Sequence, residues 1–155
     1  MKKTVSLLLA LSLLLLTFSS CGFLKNNKKE QKFYDLVSET QDLLDTVADD
    51  IYSNWYDCIY EDKFSDSIDL AIASAMLDNK ANLEQIEENN AEIKKLYKEV
   101  KDGDLEDEVK EVMQAYNEYY AFVVEVSGSF NSYSANKETL KKALATSLKN
   151  LDLEL

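Results

Sequence analysis

The chain contains no proline, and its only glycines are Gly22, Gly103 and Gly128. These two residue types interrupt regular structure most sharply, proline by removing a backbone donor and glycine by freeing φ. A chain of 155 residues with so little punctuation is constrained to long elements, and the period of its apolar residues decides their kind. From about Lys28 to Tyr60, Phe33, Leu36, Val37, Leu43, Leu44, Val47, Ile51, Trp55 and Cys58 recur at three and four residues. That is the spacing of one helix face, not the alternation of a strand.

Glu61 to Ser65 reads as a turn, with Ser65 or Asp66 expected to cap the next helix. A second helix is expected to run unbroken through Asn79 on Ile68, Ile72, Ala75, Met76, Leu83, Ile86, Ile93, Leu96, Tyr97 and Val100. It ends at Gly103, expected in the left-handed position, and Asp104 with Asp107 suits the start of the third. The third helix carries Leu105, Val109, Val112, Tyr116, Tyr119, Tyr120, Val123 and Val126 and is expected to stop near Ser127-Gly128. The fourth shows Leu140, Leu144, Leu148 and Leu151, capped at Ser134 or Asn136. Short connections favour antiparallel neighbours, so the expected fold is all-α, an up-down antiparallel bundle of four helices. The first two are the longest, about 50 Å each at 1.5 Å per residue.

Ahead of the bundle, Met1-Lys2-Lys3 precedes an apolar run from Val5 to Leu16 broken only by Ser6 and Ser12. A spanning helix needs about 20 apolar residues, so this shorter run reads as a cleaved signal helix. The following Phe18-Ser19-Ser20-Cys21-Gly22 resembles the lipobox of bacterial lipoproteins, with Phe18 where Leu is usual and Ser20 where Gly or Ala is usual. The resemblance covers residues 1–22 and implies a diacylglyceryl group on the Cys21 thiol and cleavage just before it. Two acyl chains give a stable anchor where one is marginal. The implied organisation is a signal peptide over 1–20, a lipid-anchored tether over 21–27 and one helical-bundle domain over 28–155. The implied location is the extracytoplasmic side of the cell membrane.

Charge narrows the partners. All 17 basic residues are lysine, against 29 acids. Losing Lys2 and Lys3 with the leader leaves 15 lysines and a formal charge of −14. Nucleic acid is therefore not expected, since phosphate binding needs a basic face and base reading leans on arginine. Lys25, Lys28, Lys29 and Lys32 follow the anchor directly and form a basic patch suited to anionic headgroups. Histidine is absent, which excludes imidazole bases, Ser-His-Asp triads and Glu-x-x-His di-iron sites. The acidic run Asp102 to Asp107 fails the calcium-loop spacing, with Asp107 where Gly is needed and Met113 where Glu is needed. No enzyme, metal or cofactor is expected. Cys58 sits on the apolar stripe and is assigned to the core.

The remaining candidate is aromatic. An up-down bundle places the turn after the first helix beside the loop before the fourth, at the end away from the anchor. Trp55, Tyr56, Tyr60 and Phe64 approach from one side, Phe130 and Tyr133 from the other. Two readings stand. Either the rings form a binding surface, with Tyr56 the best single candidate for an exposed member, or they plug the end of the core. The first reading gives a lipid-anchored binding or adaptor protein that recognises a protein, peptide or small ligand. The contrasting class is a protective, immunity-type or structural envelope lipoprotein acting through its acidic surface.

Overall fold

A computed structural model describes residues 27–155. Cys21, Lys25, the leader and all but the last residue of the tether lie outside them. The described chain folds into α1 (Lys28–Tyr60), a single 3-10 turn (Phe64–Asp66), α2 (Ile68–Asp78), α3 (Lys80–Val100), α4 (Glu106–Val124) and α5 (Phe130–Asp152). It is all-α, with no strand among the described residues.

Five helices stand where four were expected, because the second is broken at Asn79. Its backbone departs to φ −96°, ψ 18°. Its amide nitrogen donates to Asp50 Oδ2 at 2.7 Å and to the Ala75 carbonyl at 3.1 Å, while its oxygen accepts from Asn82 Nδ2 at 2.8 Å. A short amide that satisfies nearby backbone competes with the helical ladder. The break leaves the direction unchanged, for α2 and α3 together run antiparallel along α1. The contacts run back along α1 as the chain advances: Asn54 Nδ2 to the Ala71 carbonyl at 3.2 Å, Asp50 to Asn79, then Asn89 Nδ2 to Thr40 Oγ1 at 3.1 Å.

Four helix ends also differ from expectation. Ser67 caps α2, its hydroxyl accepting the Leu70 amide at 3.3 Å, whereas Ser65 and Asp66 adopt φ of 51° and 59° and cannot serve. Gly103 does not take the left-handed conformation. Its smallness is what the turn needs, since a Cβ there would lie 3.1 Å from the Val100 carbonyl and 3.2 Å from Glu30 Oε1. The N-cap of α4 is Leu105, and the first-turn acids Glu106, Asp107 and Glu108 complement the helix dipole in place of a side-chain cap. Finally, α5 starts at Phe130, well before Ser134. Gly128 at φ 90° turns the chain, and Ser129 and Ser132 form a reciprocal capping box.

The core runs along α1, which packs against every other helix. Phe33, Leu44 and Ile51 from α1 meet Ile86 and Ile93 of α3, Val112 and Tyr116 of α4, and Leu144 and Leu151 of α5, all buried. Cys58 is buried at the end of the same stripe. In contrast, α2 packs on α1, the 3-10 turn and α3 and touches neither α4 nor α5. Its outer face, Leu70 and Leu77, is exposed.

Candidate functional site

The six aromatic candidates separate according to helix geometry. Trp55 continues the buried stripe of Ile51 and Cys58 and is 3 % exposed, while Tyr56, roughly 100° further round the helix, is 41 % exposed. Tyr60 follows one turn later at 57 %, with Ile59 beside it at 42 %. Phe130, the first residue of α5, is half-buried and joins the set. Its ring stacks on Tyr52 at 5.2 Å and lies 6.0 Å from Trp55, 6.3 Å from Tyr56 and 6.1 Å from Tyr60. Tyr56 and Tyr60 are themselves 4.7 Å apart.

Tyr133 belongs to the core. It is fully buried, stacks on Phe122 at 4.6 Å, and donates its hydroxyl to the Ala48 carbonyl at 3.3 Å. Phe64 is half-buried in the 3-10 turn and makes no ring contact with the others among the described residues. Trp55 and Tyr133 thus plug the end of the bundle, and Tyr56 and Tyr60 stand outside it. Phe130 connects the two layers.

Two contributors are absent from the sequence-based set. Tyr52 lies four residues before Tyr56, which lies four before Tyr60, so a stripe of three tyrosines was legible in the spacing. Lys137 was not legible. Its side chain is 10 % exposed, its Nζ sits 2.5 Å from Asp49 Oδ1, and its ammonium lies 4.7 Å from the Tyr52 ring centroid. One turn on, Lys141 pairs with Asp45 Oδ2 at 2.9 Å, and Asp45 Oδ1 accepts the Tyr119 hydroxyl at 2.7 Å. Two lysines spaced by four on α5 thereby meet two aspartates spaced by four on antiparallel α1. Such pairs add little net stability but penalise any other register, because a slip would strand a buried charge. They hold Phe130 over the tyrosine stripe.

The margin of this end is acidic. Between Lys32 and Lys80, Lys63 is the one lysine against twelve acids. It is already engaged, its Nζ 2.7 Å from Asp57 Oδ2, and that bond raises its pKa. Glu61, Asp62, Asp66 and Asp69 are exposed and form no ion pair among the described residues. The turn that carries them is strained: Asp62, Phe64, Ser65 and Asp66 all have φ between 51° and 61°, a left-handed conformation that costs about 1–2 kcal/mol per residue with a side chain.

At the opposite end, Lys28, Lys29 and Lys32 open α1. Lys29 pairs with Glu99 at 3.1 Å, holding the Glu99 carboxyl below the usual range. In the acidic run Asp102 to Asp107, Asp102 is bound by Lys101 at 2.6 Å. Among the described residues no three His, Cys, Asp or Glu side chains converge on a possible metal position. The groove between α4 and α5 is open and lined by polar groups such as Gln114, Glu118, Thr139 and Lys142. Among the described residues the strongest candidate is therefore a patch of tyrosine and isoleucine at the end of α1, followed in the chain by exposed carboxylates.

No family matches the chain, and no curated protein or solved structure is similar to it.

Proposed function

We propose that the protein is a lipid-anchored binding or adaptor protein of a bacterial cell envelope, held by Cys21 on the extracytoplasmic side and engaging a partner with the α1–α2 end. In this reading the broken rod α2–α3 counts as one member of a four-membered up-down bundle. Lys25, Lys28, Lys29 and Lys32 then face the membrane. The observation that supports it is the exposure of Tyr56, Ile59 and Tyr60 within the last turn and a half of α1. Surface apolar residues scattered singly are ordinary, whereas a contiguous group with tyrosines marks an interface. At about 1.5 Å per residue, the 33 residues of α1 carry that patch roughly 50 Å from the point where the tether enters.

Photo-crosslinking in intact cells tests this. A benzophenone side chain at position 60 should yield one discrete adduct, and the same group at exposed position 88 none. Cys21→Ser should remove both the protein and the adduct from the membrane fraction. Identical adducts from the two positions, or a Cys21→Ser protein that stays acylated and membrane-bound, would overturn the reading.

The acidic margin also favours a second reading, in which the surface captures a basic partner by charge alone. Capture of that kind collapses at high salt, because exposed charges are screened beyond about 8–10 Å, whereas ring-mediated docking persists.

A further inference from the structure

Resting on the reading that the α1–α2 end is a docking face, we propose that its partner is a cationic amphipathic helix of another polypeptide, which seats apolar side chains on Tyr56, Ile59, Tyr60 and Phe130 and sets lysine or arginine against Glu61, Asp62, Asp66 and Asp69. Tyr56, Ile59 and Tyr60 are exposed, and the half-buried Phe130 packs against both tyrosine rings. The choice of occupant follows from charge. Among the described residues none of the four carboxylates forms an ion pair, the nearby Lys63 being bonded to Asp57. A second copy related by a two-fold axis would bring the same four acids against themselves, and an anionic bilayer would be repelled.

The shape of the occupant follows from the architecture. No strand exists among the described residues, so no sheet edge is present there to pair with an extended peptide. The exposed faces of α1 and α5 there offer a partner side chains. An amphipathic helix presents apolar residues at three and four positions, matching the four-residue steps of Tyr52, Tyr56 and Tyr60. Acidity by itself would attract any polycation, but the rings restrict the fit to one that carries an apolar face.

Trp55 provides the reporter. It is the only tryptophan, and its ring lies 6.0 Å from Phe130 beneath the proposed surface. The full-length chain in phosphatidylcholine vesicles is titrated with three tryptophan-free amphipathic helical peptides, built from leucine and lysine, leucine and glutamine, or leucine and glutamate. The leucine–lysine peptide should change Trp55 emission saturably at one peptide per chain and bind at least about tenfold more tightly than the other two. Tyr56→Ala with Tyr60→Ala should weaken it by at least about tenfold, the loss of one or two interface anchors. Leu77→Ala, on the outer face of α2, should leave it unchanged, and far-ultraviolet circular dichroism confirms that each variant is folded.

Equal, tyrosine-dependent binding of the glutamine peptide would overturn the cationic partner while leaving the docking face intact. Binding of the lysine peptide that ignores both tyrosines and vanishes in salt would overturn the docking face as well. A tyrosine-dependent dimer of the peptide-free chain in sedimentation would give the surface to a second copy and defeat the proposal, as would silence toward all three peptides.

Discussion

Tyr56 and Tyr133 differ in what their rings displace rather than in chemistry. Tyr133 is fully buried against Trp55 and Phe122, and its hydroxyl has the Ala48 carbonyl as partner. Tyr56 covers one side of Tyr60 and leaves much of its own surface in water. Tyr133→Ala should therefore cost about 3–5 kcal/mol, the range for emptying an aromatic site in a core, and Tyr56→Ala less than about 1 kcal/mol. Urea unfolding of the two variants checks this, and comparable losses would mean that Tyr56 is a core residue. Trp55 shows the same competition within one side chain. Its indole nitrogen is buried with no acceptor among the described residues, which costs about 1–3 kcal/mol, yet burying an indole of about 200 Å² returns roughly 5 kcal/mol. Size wins over the polar atom.

Among the elements, the break at Asn79 shows how a polar residue can override helix propensity. Asn79 is 4 % exposed, and three side-chain hydrogen bonds tie it to α1, to α2 and to the start of α3. Asn79→Ala introduces the best helix former, worth about 0.7 kcal/mol or less in the helix, but strands partners whose loss costs about 1–3 kcal/mol. Net destabilisation of about 1–2 kcal/mol is expected from chemical unfolding, and a more stable variant would show the break to be a passive defect. The same competition explains what sequence could and could not tell. Long 3.6-residue stripes on α1, α3 and α4 were legible because burial alone writes them. Asn79 was legible as a polar interruption of the second stripe, but the break itself was not, since Asp50 supplies its key partner from 29 residues away. The start of α5 was missed because Ser129 and Ser132 cap reciprocally, and because Lys137 occupies a buried position of the stripe where an apolar residue is expected. The exposure of Tyr56 was legible from its angle to Trp55, but the bridging position of Phe130 depended on where α5 begins.

At the scale of the molecule, the helices are joined to one another by polar links as well as by packing, and several of those links are tyrosine hydroxyls. Tyr116 reaches Asn90 between α4 and α3 at 3.4 Å, Tyr119 reaches Asp45 between α4 and α1 at 2.7 Å, and Tyr133 reaches Ala48 between α5 and α1 at 3.3 Å. Burial raises the pKa of all three well above the ordinary 10.0. For Tyr119 the bond to Asp45 adds to the effect, and for Tyr133 the charge of Asp49 does. The folded state thus keeps three phenolic protons that the unfolded chain releases as pH passes 10.0. The stabilisation is fully present below that value and is lost progressively above it, so stability falls with rising pH on the alkaline side. Lys141, raised by its hydrogen bond to Asp45, contributes in the same direction from its own ordinary value of 10.5. A net charge of −12 at pH 7 makes further deprotonation still less favourable to the compact state. The urea midpoint should therefore hold level from about pH 7 to about pH 9 and drop steeply beyond about pH 10. Tyr119→Phe, starting from a lower plateau, should show a shallower alkaline decline because one of the linked protons is gone. Tyrosinate absorbance gives the independent measure. Ionisation of all nine tyrosines near their ordinary value with helical circular dichroism intact would contradict the assignment of these three hydroxyls to buried seams.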